Sequence, residues 1–278
     1  MPICDLFCLL EVSEKSSNAT LGQSVALARS YRAAASILVA GPRAAAPYSL
    51  FSPAAVGDLV KSENDKTRER VDALVAQAKA ELSKAGAKGS VDSSQELFPD
   101  LLRRAKEHAL CNDLTVVERP GGVIEHSELL FEEMLFAAGR PVLLPVPDAK
   151  PVERIEKIVV AWDGSPFAAR ALGYALGLFE GVKEADVVVV TGEKDLSGMV
   201  PAARIAAHIE RRGAKARIVE LQCDEDGVSS TIDTHAGKAG ADLIVMGAFG
   251  RSRLREFVLG GVTRDLTRFS SRPLLLSH

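Results

Sequence analysis

The stretch ADLIVMGAFGRSRLREFVLGGVTRDL, residues 241–266, decides the fold class of this chain. Its apolar run at 243–246 is typical of a strand that is buried on both faces of a parallel sheet. Gly247 follows at once, where a residue without a Cβ lets the backbone approach a ligand. Gly260 and Gly261 then stand where the last helix is expected to begin. Because unpaired N–H groups and the helix dipole attract anions at such a start, the stretch predicts an anion site between strand and helix.

Short apolar runs alternate with amphipathic stretches throughout the second half of the chain. The predicted strands are 158–161, 186–191, 216–221, 243–246 and 274–276, and the predicted helices include 166–178, 201–212 and 228–238. Buried strands separated by helices indicate an α/β fold with a parallel sheet covered by helices on both faces. Ligands bind such open sheets beyond the carboxyl ends of the strands, at the topological switch point. The glycine-rich stretch lies at that edge.

The chain repeats itself once, at offsets of roughly 130 residues. The repeated residues are His108, Asp113 and Arg140-Pro141, which recur as His235, Asp242 and Arg272-Pro273. The first half also follows the second in its predicted strands: 3–10, 36–40, 88–92, 114–117 and 142–146, with a long helix at 63–84. We therefore predict two tandem open-sheet domains, each with a five-stranded parallel sheet and helices on both faces. For the two repeated histidines we expect a structural role, as a charge at a helix end or a core contact.

The predicted domains are 1–147 and 153–278, joined by a linker. The segment PVPDAKPVERIEK contains three prolines and mixed charges without an apolar period, which is typical of a linker, and we place the boundary at 148–151. A second long connection, 41–58, is rich in proline and alanine. It is expected to be a surface loop or an interface flap, with a lid that takes part in chemistry as the alternative.

Composition excludes several classes of protein. A length of 278 residues suits two domains, and a net charge of −3 gives no electrostatic reason to expect nucleic acid or an anionic membrane as partner. Four cysteines without a CxxC spacing favour a reduced, cytoplasmic protein. The first residues do not resemble a signal peptide, and no apolar run is long enough to cross a membrane.

Three segments of the second half resemble the universal stress protein family. The spacing Gly247-x2-Gly250-x9-Gly260 resembles the ATP-binding signature of that family, and VVAWDGSPFAARAL (159–172) is similar to its first strand and helix. The ending RPLLL (272–276) also matches. The likeness covers 153–278 with a specific motif and reaches 1–147 only through the repeat. It implies an adenine nucleotide alpha hydrolase-like fold, a role in stress response and binding of ATP, with AMP or ADP as alternatives and Mg²⁺ as accompanying metal.

The resemblance also implies which residues hold the nucleotide. Asp163 would contact the adenosine moiety, Arg251 is a candidate partner for phosphate, and the remaining positions line the pocket or shape the phosphate loop. These remaining positions are Ala161, Thr191, Met246, Gly247, Gly250, Gly260, Gly261, Val262 and Thr263. One departure concerns Gly261, where the family has Ser or Thr, so that one hydroxyl donor to phosphate is missing. Asp163 could instead cap the following helix, and Arg251 could belong to a solvated surface.

The first half lacks most of the glycines of this motif. Where 247–250 reads Gly-Ala-Phe-Gly, the first half reads Glu118-Arg119-Pro120-Gly121. A carboxylate at Glu118 would repel phosphate, and Pro120 has no amide to donate. We expect this half to have lost the anion site and to serve in packing and partner contacts.

Three functional hypotheses remain. The first is a nucleotide-responsive stress protein, the second is a scaffold of the same fold without nucleotide, and the third is a transferase. No nucleophilic elbow, phosphate-binding lysine motif or acid–base set appears in the sequence, so we expect no catalytic residue and at most slow ATP hydrolysis. In the family the last strand pairs domains, which predicts intramolecular pairing of the two halves and allows a homodimer. Replacing Gly247 by a bulky residue is expected to abolish nucleotide binding without harming the fold.

Overall fold

The computed structural model describes residues 2–12, 18–45, 53–121, 126–192, 199–248 and 261–278, with the backbone alone at 53–55. The elements of the first half are β1 (Asp5–Glu11), α1 (Ala19–Tyr31), β2 (Ala34–Ala40), α2 (Pro53–Ala85), β3 (Gly89–Ser94), α3 (Phe98–Leu110), β4 (Leu114–Val117), α4 (His126–Ala137) and β5 (Val142–Leu144). Those of the second half are β6 (Lys157–Ala161), α5 (Pro166–Leu178), β7 (Glu184–Thr191), α6 (Ala202–Arg211), β8 (Lys215–Gln222), α7 (Val228–Ala239), β9 (Leu243–Gly247), α8 (Gly261–Phe269) and β10 (Leu274–Ser277).

The ten strands form one sheet in the order β3-β2-β1-β4-β5-β10-β9-β6-β7-β8. Within each half every pair of neighbouring strands is parallel, which confirms the predicted α/β class and the two five-stranded units. The halves join where β5 and β10 pair antiparallel, with Leu143 opposite Leu275. The predicted pairing of the two halves through the last strand is therefore present. Because this one junction is antiparallel, the carboxyl ends of the two sets of strands lie at opposite edges of the sheet.

Helices cover both faces of this sheet, because the strands are apolar on both sides. Side chains of α1, α2, α5 and α6 pack with one face, and those of α3, α4, α7 and α8 pack with the other. Leu143 and Leu275 belong to the first of these cores, and Leu144 and Leu274 to the second, so both cores continue across the junction. The two halves thus share their hydrophobic cores.

The helix α2 begins earlier than the sequence predicts. It starts at Pro53 rather than near residue 63, so the prediction of a loop over 41–58 is wrong for its last six residues, while 46–52 lie outside the described part of the chain. Proline has no amide hydrogen to lose and a φ already suited to a first helical turn, so it begins this helix rather than extending the loop.

The repeated aspartates have a structural role at the amino ends of the strands. Asp113 Oδ2 accepts hydrogen bonds from the Cys4 and Asp5 amides, at 2.9 and 3.1 Å. Asp242 Oδ2 accepts from Glu156 and Lys157 in the same way, at 2.9 Å each. In each half the aspartate thus ties the start of the first strand to the start of the fourth. The repeated aspartates Asp113 and Asp242 therefore stabilise the arrangement of the strands, and they lie away from the carboxyl edge of the sheet.

The linker lies against the first half. Gln23 of α1 donates to the Val152 carbonyl at 2.7 Å and accepts from the Val152 amide at 3.0 Å. The Tyr31 hydroxyl accepts from the Ile155 amide at 3.0 Å, and Ile155 is buried. The chain between β5 and β6 is therefore docked on α1 along 152–155.

In the part of the chain that the structure describes, none of the helices combines enough length with enough apolar character to cross a membrane.

Candidate functional site

The candidate site lies at the switch point of the second half. The strand order β10-β9-β6-β7-β8 places β6 beside β9, although β6 and β9 are far apart in sequence, and the helices after them leave toward opposite faces. Ala161 at the end of β6 is opposite Met246 in β9. Both side chains contact the core that α7 and α8 cover. Ala161 and Met246 therefore lie side by side, and together they would form the floor of a ligand cleft at the carboxyl ends of β6 and β9.

Asp163 closes the turn between β6 and α5. Its Oδ1 accepts a hydrogen bond from the Ser165 amide at 2.9 Å, across Gly164, whose φ of +72° suits glycine. Ser165 rather than Asp163 is the helix N-cap, since its Oγ accepts from the Ala168 amide at 3.1 Å. The alternative of Asp163 as the cap is therefore wrong. The Asp163 carboxyl group is exposed, and Oδ2 is the oxygen not engaged by the Ser165 amide.

Gly247 is required by protein packing. A Cβ at this position would lie 2.5 Å from the Ala168 amide nitrogen and 2.7 Å from the Phe167 carbonyl carbon. The first turn of α5 therefore occupies the space that the sequence interpretation had left for a ligand. The expectation that a bulky residue at Gly247 spares the fold is wrong, because backbone atoms of a helix cannot move aside cheaply.

Thr191 is the last residue of β7. Val188 of β7 is opposite Ala161, so Thr191 extends three residues beyond the end of β6, about 10 Å at the usual rise of a strand. Its hydroxyl lies 3.3 Å from the Leu221 carbonyl oxygen and 3.3 Å from Gln222 Oε1. Val189 packs with the core covered by α5 and α6 and Val190 with the core covered by α7 and α8, so strand alternation places the Thr191 side chain on the face opposite Ala161 and Met246.

The helix α8 begins at Gly261, where the sequence predicts it. Gly261 is exposed and a Cβ there would contact nothing within 4 Å, Val262 is half-buried, and the side chain of Thr263 is buried. The first amides of a helix have no acceptor within it, so this start offers N–H donors and the positive end of the dipole. Three of the predicted positions, Gly250, Arg251 and Gly260, lie outside the described residues.

The sequence interpretation missed the residues that cover the turn after β6. Trp162 Nε1 donates to the Val200 carbonyl at 3.0 Å, and Met199 packs against Gly164 so closely that any side chain there would collide with it. The segment 199–200 therefore lies over the Asp163 turn. The one tryptophan of the chain, directly before the aspartate, is the signal that could have suggested a fixed partner.

The first half replaces the corresponding loop with an inter-domain contact. Arg119 stands two residues after the end of β4, and its guanidinium donates to the carbonyl oxygens of Pro145, Ser270 and Arg272 at 2.7 to 2.8 Å, and to Ser270 Oγ at 3.0 Å. Burial lowers the pKa of Arg119 to about 10, so the side chain stays charged at neutral pH. A cation at this place would attract an anion if it were free, but four protein oxygens already surround it. At the place that corresponds to the stretch after β9, the first half thus has a contact between Arg119 and residues of the second half.

The donor and acceptor groups of the second half suit a ribonucleotide. An exposed carboxylate at Asp163 can accept from ribose hydroxyls, and the amides at the start of α8 can donate to phosphate. The start of α5 contributes less, because Pro166 has no N–H and the Ala168 amide is already bound to Ser165. Among the described residues no three His, Cys, Asp or Glu side chains are grouped to hold a metal, and Mg²⁺ on a nucleotide is held largely by phosphates and water.

Comparison with known proteins identifies the kind of fold. A model of the universal stress protein family matches residues 154–278. A universal stress protein from Archaeoglobus fulgidus DSM 4304 superposes with a TM-score of 0.69 at 15% identity, over 98% of this chain and 97% of that chain. A putative universal stress protein from Pseudomonas aeruginosa UCBPP-PA14 gives 0.56 at 15% identity, over 99% and 93%.

The same architecture occurs in the cytoplasmic domain of a prokaryotic cation chloride cotransporter, with a TM-score of 0.51 at 11% identity over 99% of this chain and 95% of that chain. A comparison with curated proteins finds no match. At these identities the structural neighbours establish the fold and no function.

Proposed function

We propose that residues 154–278, which a model of the universal stress protein family matches, bind ATP or a related adenine nucleotide and that the chain acts as a nucleotide-responsive regulatory protein. One observation carries the proposal: β6 and β9 are neighbours at a switch point, where an exposed carboxylate follows β6 and the open start of α8 follows β9. In a parallel α/β sheet this is where nucleotides bind. The proposed setting is the cytoplasm under stress.

Within this proposal the described residues hold the ligand without reacting with it. Asp163 accepts from the ribose hydroxyls, and its own turn is rigid because Oδ1 is bound to the Ser165 amide. Gly261, Val262 and Thr263 donate backbone amides toward phosphate, and Ala161 and Met246 give an apolar floor. We propose no second site in the first half, because Arg119 is engaged there with Ser270 and Arg272.

A thermal-shift titration of the full chain tests the proposal. Binding at a hundredfold excess over Kd stabilises a fold by about 2.7 kcal/mol. For a chain of this size we expect a rise in Tm of roughly 5–10 °C with Mg-ATP. No shift with ATP, ADP or AMP would contradict the proposal and favour the scaffold. Turnover with a second substrate would favour the transferase.

The variant Asp163→Asn isolates the role of the carboxylate. Asparagine can still accept from the Ser165 amide through Oδ1, so the turn is kept while the negative charge is lost. We expect Asp163→Asn to weaken ATP binding about tenfold with an unchanged Tm in the absence of nucleotide. The matched control is Glu11→Gln, at the corresponding position in the first half, which should leave ATP binding unchanged. Equal loss in both variants would argue that the carboxylate has no direct contact.

A further inference from the structure

A polar groove of about 470 Å³ opens beside α3 in the first half, apart from the candidate site of the second half. Its lining includes a residue of β2, a residue of the loop before α3 and several residues of α3: Ser36, Glu96, Arg103, Arg104, Glu107 and His108. Arg103 and Glu107 pair with each other at 2.8 Å, and both side chains are more than half exposed, so they form the outer rim. Side chains of both charges thus meet in one groove.

The second half places an ion pair at the corresponding point of its sheet. Asp186 of β7 and Arg217 of β8 are opposite each other, as Ser36 of β2 and Ser90 of β3 are in the first half. The Asp186 carboxylate accepts from the Arg217 guanidinium at 3.0 and 2.6 Å. Because both serines are small and neutral, the first half has neither the carboxylate nor the guanidinium of this ion pair.

One end of the groove suits a carboxylate. His108 Nδ1 lies 3.4 Å from Ser36 Oγ, and the corresponding His235 Nε2 lies 2.9 Å from Asp186 Oδ2. The repeated histidine therefore contacts a carboxylate in the second half and a hydroxyl in the first, and a hydroxyl can donate as well as accept. A carboxylate brought by a ligand would lie at Ser36 and His108 where the second half has the Asp186 side chain.

The other end suits a cation. Glu96 Oε1 accepts from Arg104 at 3.0 Å, whereas Glu96 Oε2 is buried and has no hydrogen-bond partner among the residues that the structure describes. Because a buried acceptor without a donor is unfavourable, a turn of this carboxylate toward a cationic donor in the groove would be stabilising. Asp92 lies 3.5 Å from Arg104, so Arg104 keeps a second carboxylate partner when Glu96 turns.

The two ends are about one helical turn apart. Arg104, which binds Glu96, and His108 are separated by four residues of α3, about 6 Å along its axis. Arginine and lysine carry a carboxylate and, beyond a stem of roughly three to four methylene groups, a cation. We propose that this groove binds a free amino acid with a cationic side chain, with its carboxylate at Ser36 and His108 and its side-chain cation at Glu96.

Calorimetry on the full chain with L-arginine, L-lysine and agmatine tests the proposal. Agmatine is arginine without the carboxylate, so it keeps the guanidinium and loses the group that would contact Ser36 and His108. We expect saturable binding of L-arginine and at least about tenfold weaker binding of agmatine, because charge-assisted hydrogen bonds are the strong ones. Agmatine that binds as tightly as L-arginine would overturn the proposal, as would a chain that binds neither amino acid.

The double variant Ser36→Asp with Ser90→Arg gives the first half the two side chains that the second half has. We expect it to bind L-arginine at least about tenfold more weakly, because its own carboxylate and guanidinium compete for the positions of the ligand. Wild-type affinity in a double variant with the circular dichroism of the wild type would refute this location of the site.

The variant Glu96→Gln provides a test that does not depend on the folding of the double variant. It removes the negative charge at nearly constant size and is expected to weaken L-arginine binding about tenfold. Glu63→Gln is the matched control, because Glu63 also pairs with a cation, Lys66 at 2.8 Å, but on the exposed surface of α2. It should leave the affinity unchanged, and an equal loss in both variants would refute the contact of Glu96 with the ligand.

Discussion

Gly247 and Gly261 both belong to the glycine-rich motif, but their surroundings differ. Gly247 is pressed against the backbone of α5, so its glycine is explained by packing alone. Gly261 opens a helix, is exposed, and has free space where a Cβ would be. Of these two glycines, only Gly261 can be replaced by a residue with a side chain without a change in the fold. It is also where the family has Ser or Thr.

This difference predicts that Gly261→Ser improves nucleotide binding. A serine hydroxyl there can donate to phosphate, and one such hydrogen bond is worth about 1 kcal/mol. We expect about fivefold tighter binding of ATP, measured by calorimetry, with little change in the Tm of the nucleotide-free chain. Gly57→Ser is a suitable control, because a Cβ added to Gly57 in α2 would also meet nothing within 4 Å. Unchanged or weaker binding of ATP by Gly261→Ser would place the phosphate elsewhere.

The end of β9 and the start of α8 could be predicted from the sequence, but several of the contacts around them could not. Strand endings and glycine spacing place 247 and 261 correctly, because both depend on local periodicity. The neighbour of Gly247 is a helix about 80 residues away in sequence, and the contact between Thr191 and Gln222 depends on strand register. Neither long-range contact leaves a pattern in a single sequence, so the packing role of Gly247 and the contact of Thr191 were missed.

One buried carboxylate connects the elements β7, β8 and α7. Asp186 of β7 accepts from Arg217 of β8 at 3.0 and 2.6 Å, and its Oδ2 lies 2.9 Å from His235 Nε2 of α7. In the first half Ser36 replaces this aspartate and lies 3.4 Å from His108 Nδ1. The repeated histidine thus has a structural place in both halves, while the carboxylate occurs only in the second.

The Asp186 cluster predicts a loss of stability in acid. Burial alone would raise the pKa of Asp186, but hydrogen bonds from Arg217 and His235 outweigh it and keep this pKa below its ordinary value. Since the folded pKa is depressed, the stabilisation is present above the unfolded pKa of about 3.9 and is lost as pH falls through the folded pKa. We expect Asp186→Asn to lower the free energy of unfolding by about 1–3 kcal/mol at pH 7 and to flatten its pH dependence below pH 4.

Urea unfolding at a series of pH values measures this effect. Glu107→Gln is the control, because Glu107 pairs with Arg103 on the surface and both side chains are more than half exposed. Such a pair contributes less than about 1 kcal/mol, so this variant should resemble the wild type. An Asp186→Asn variant with the wild-type slope below pH 4 would show that the carboxylate is not linked to folding.

The two tandem halves share one continuous sheet. The antiparallel β5–β10 pair and the docked linker join them, and Arg268 of α8 pairs with Glu128 of α4 at 3.3 Å. The opposite direction of the two halves places the carboxyl edge of the first half beside the amino ends of the second. There the loop after β4 faces the turn before β10, which explains why Arg119 reaches residues more than 150 positions away. The repeat is visible in the sequence, but the proximity of the loop after β4 to the turn before β10 is not.

We therefore expect the contacts of Arg119 to contribute to the stability of the association between the two halves. Its guanidinium reaches Pro145, Ser270 and Arg272, and truncation to alanine would remove this donor from the carbonyl oxygens of Pro145 and Ser270, while the Arg272 carbonyl would still accept from Ser270 Oγ at 2.8 Å. We expect Arg119→Ala to lower the free energy of unfolding by about 3 kcal/mol and to speed proteolysis in the linker, since charge-assisted bonds are worth about 1.5–3 kcal/mol each and are not additive. Arg119→Lys should rescue little, because an ammonium group cannot reproduce the planar fork. Arg103→Ala, which removes a surface arginine, is the control; a loss below about 1 kcal/mol in Arg119→Ala would mean that the sheet alone holds the halves together.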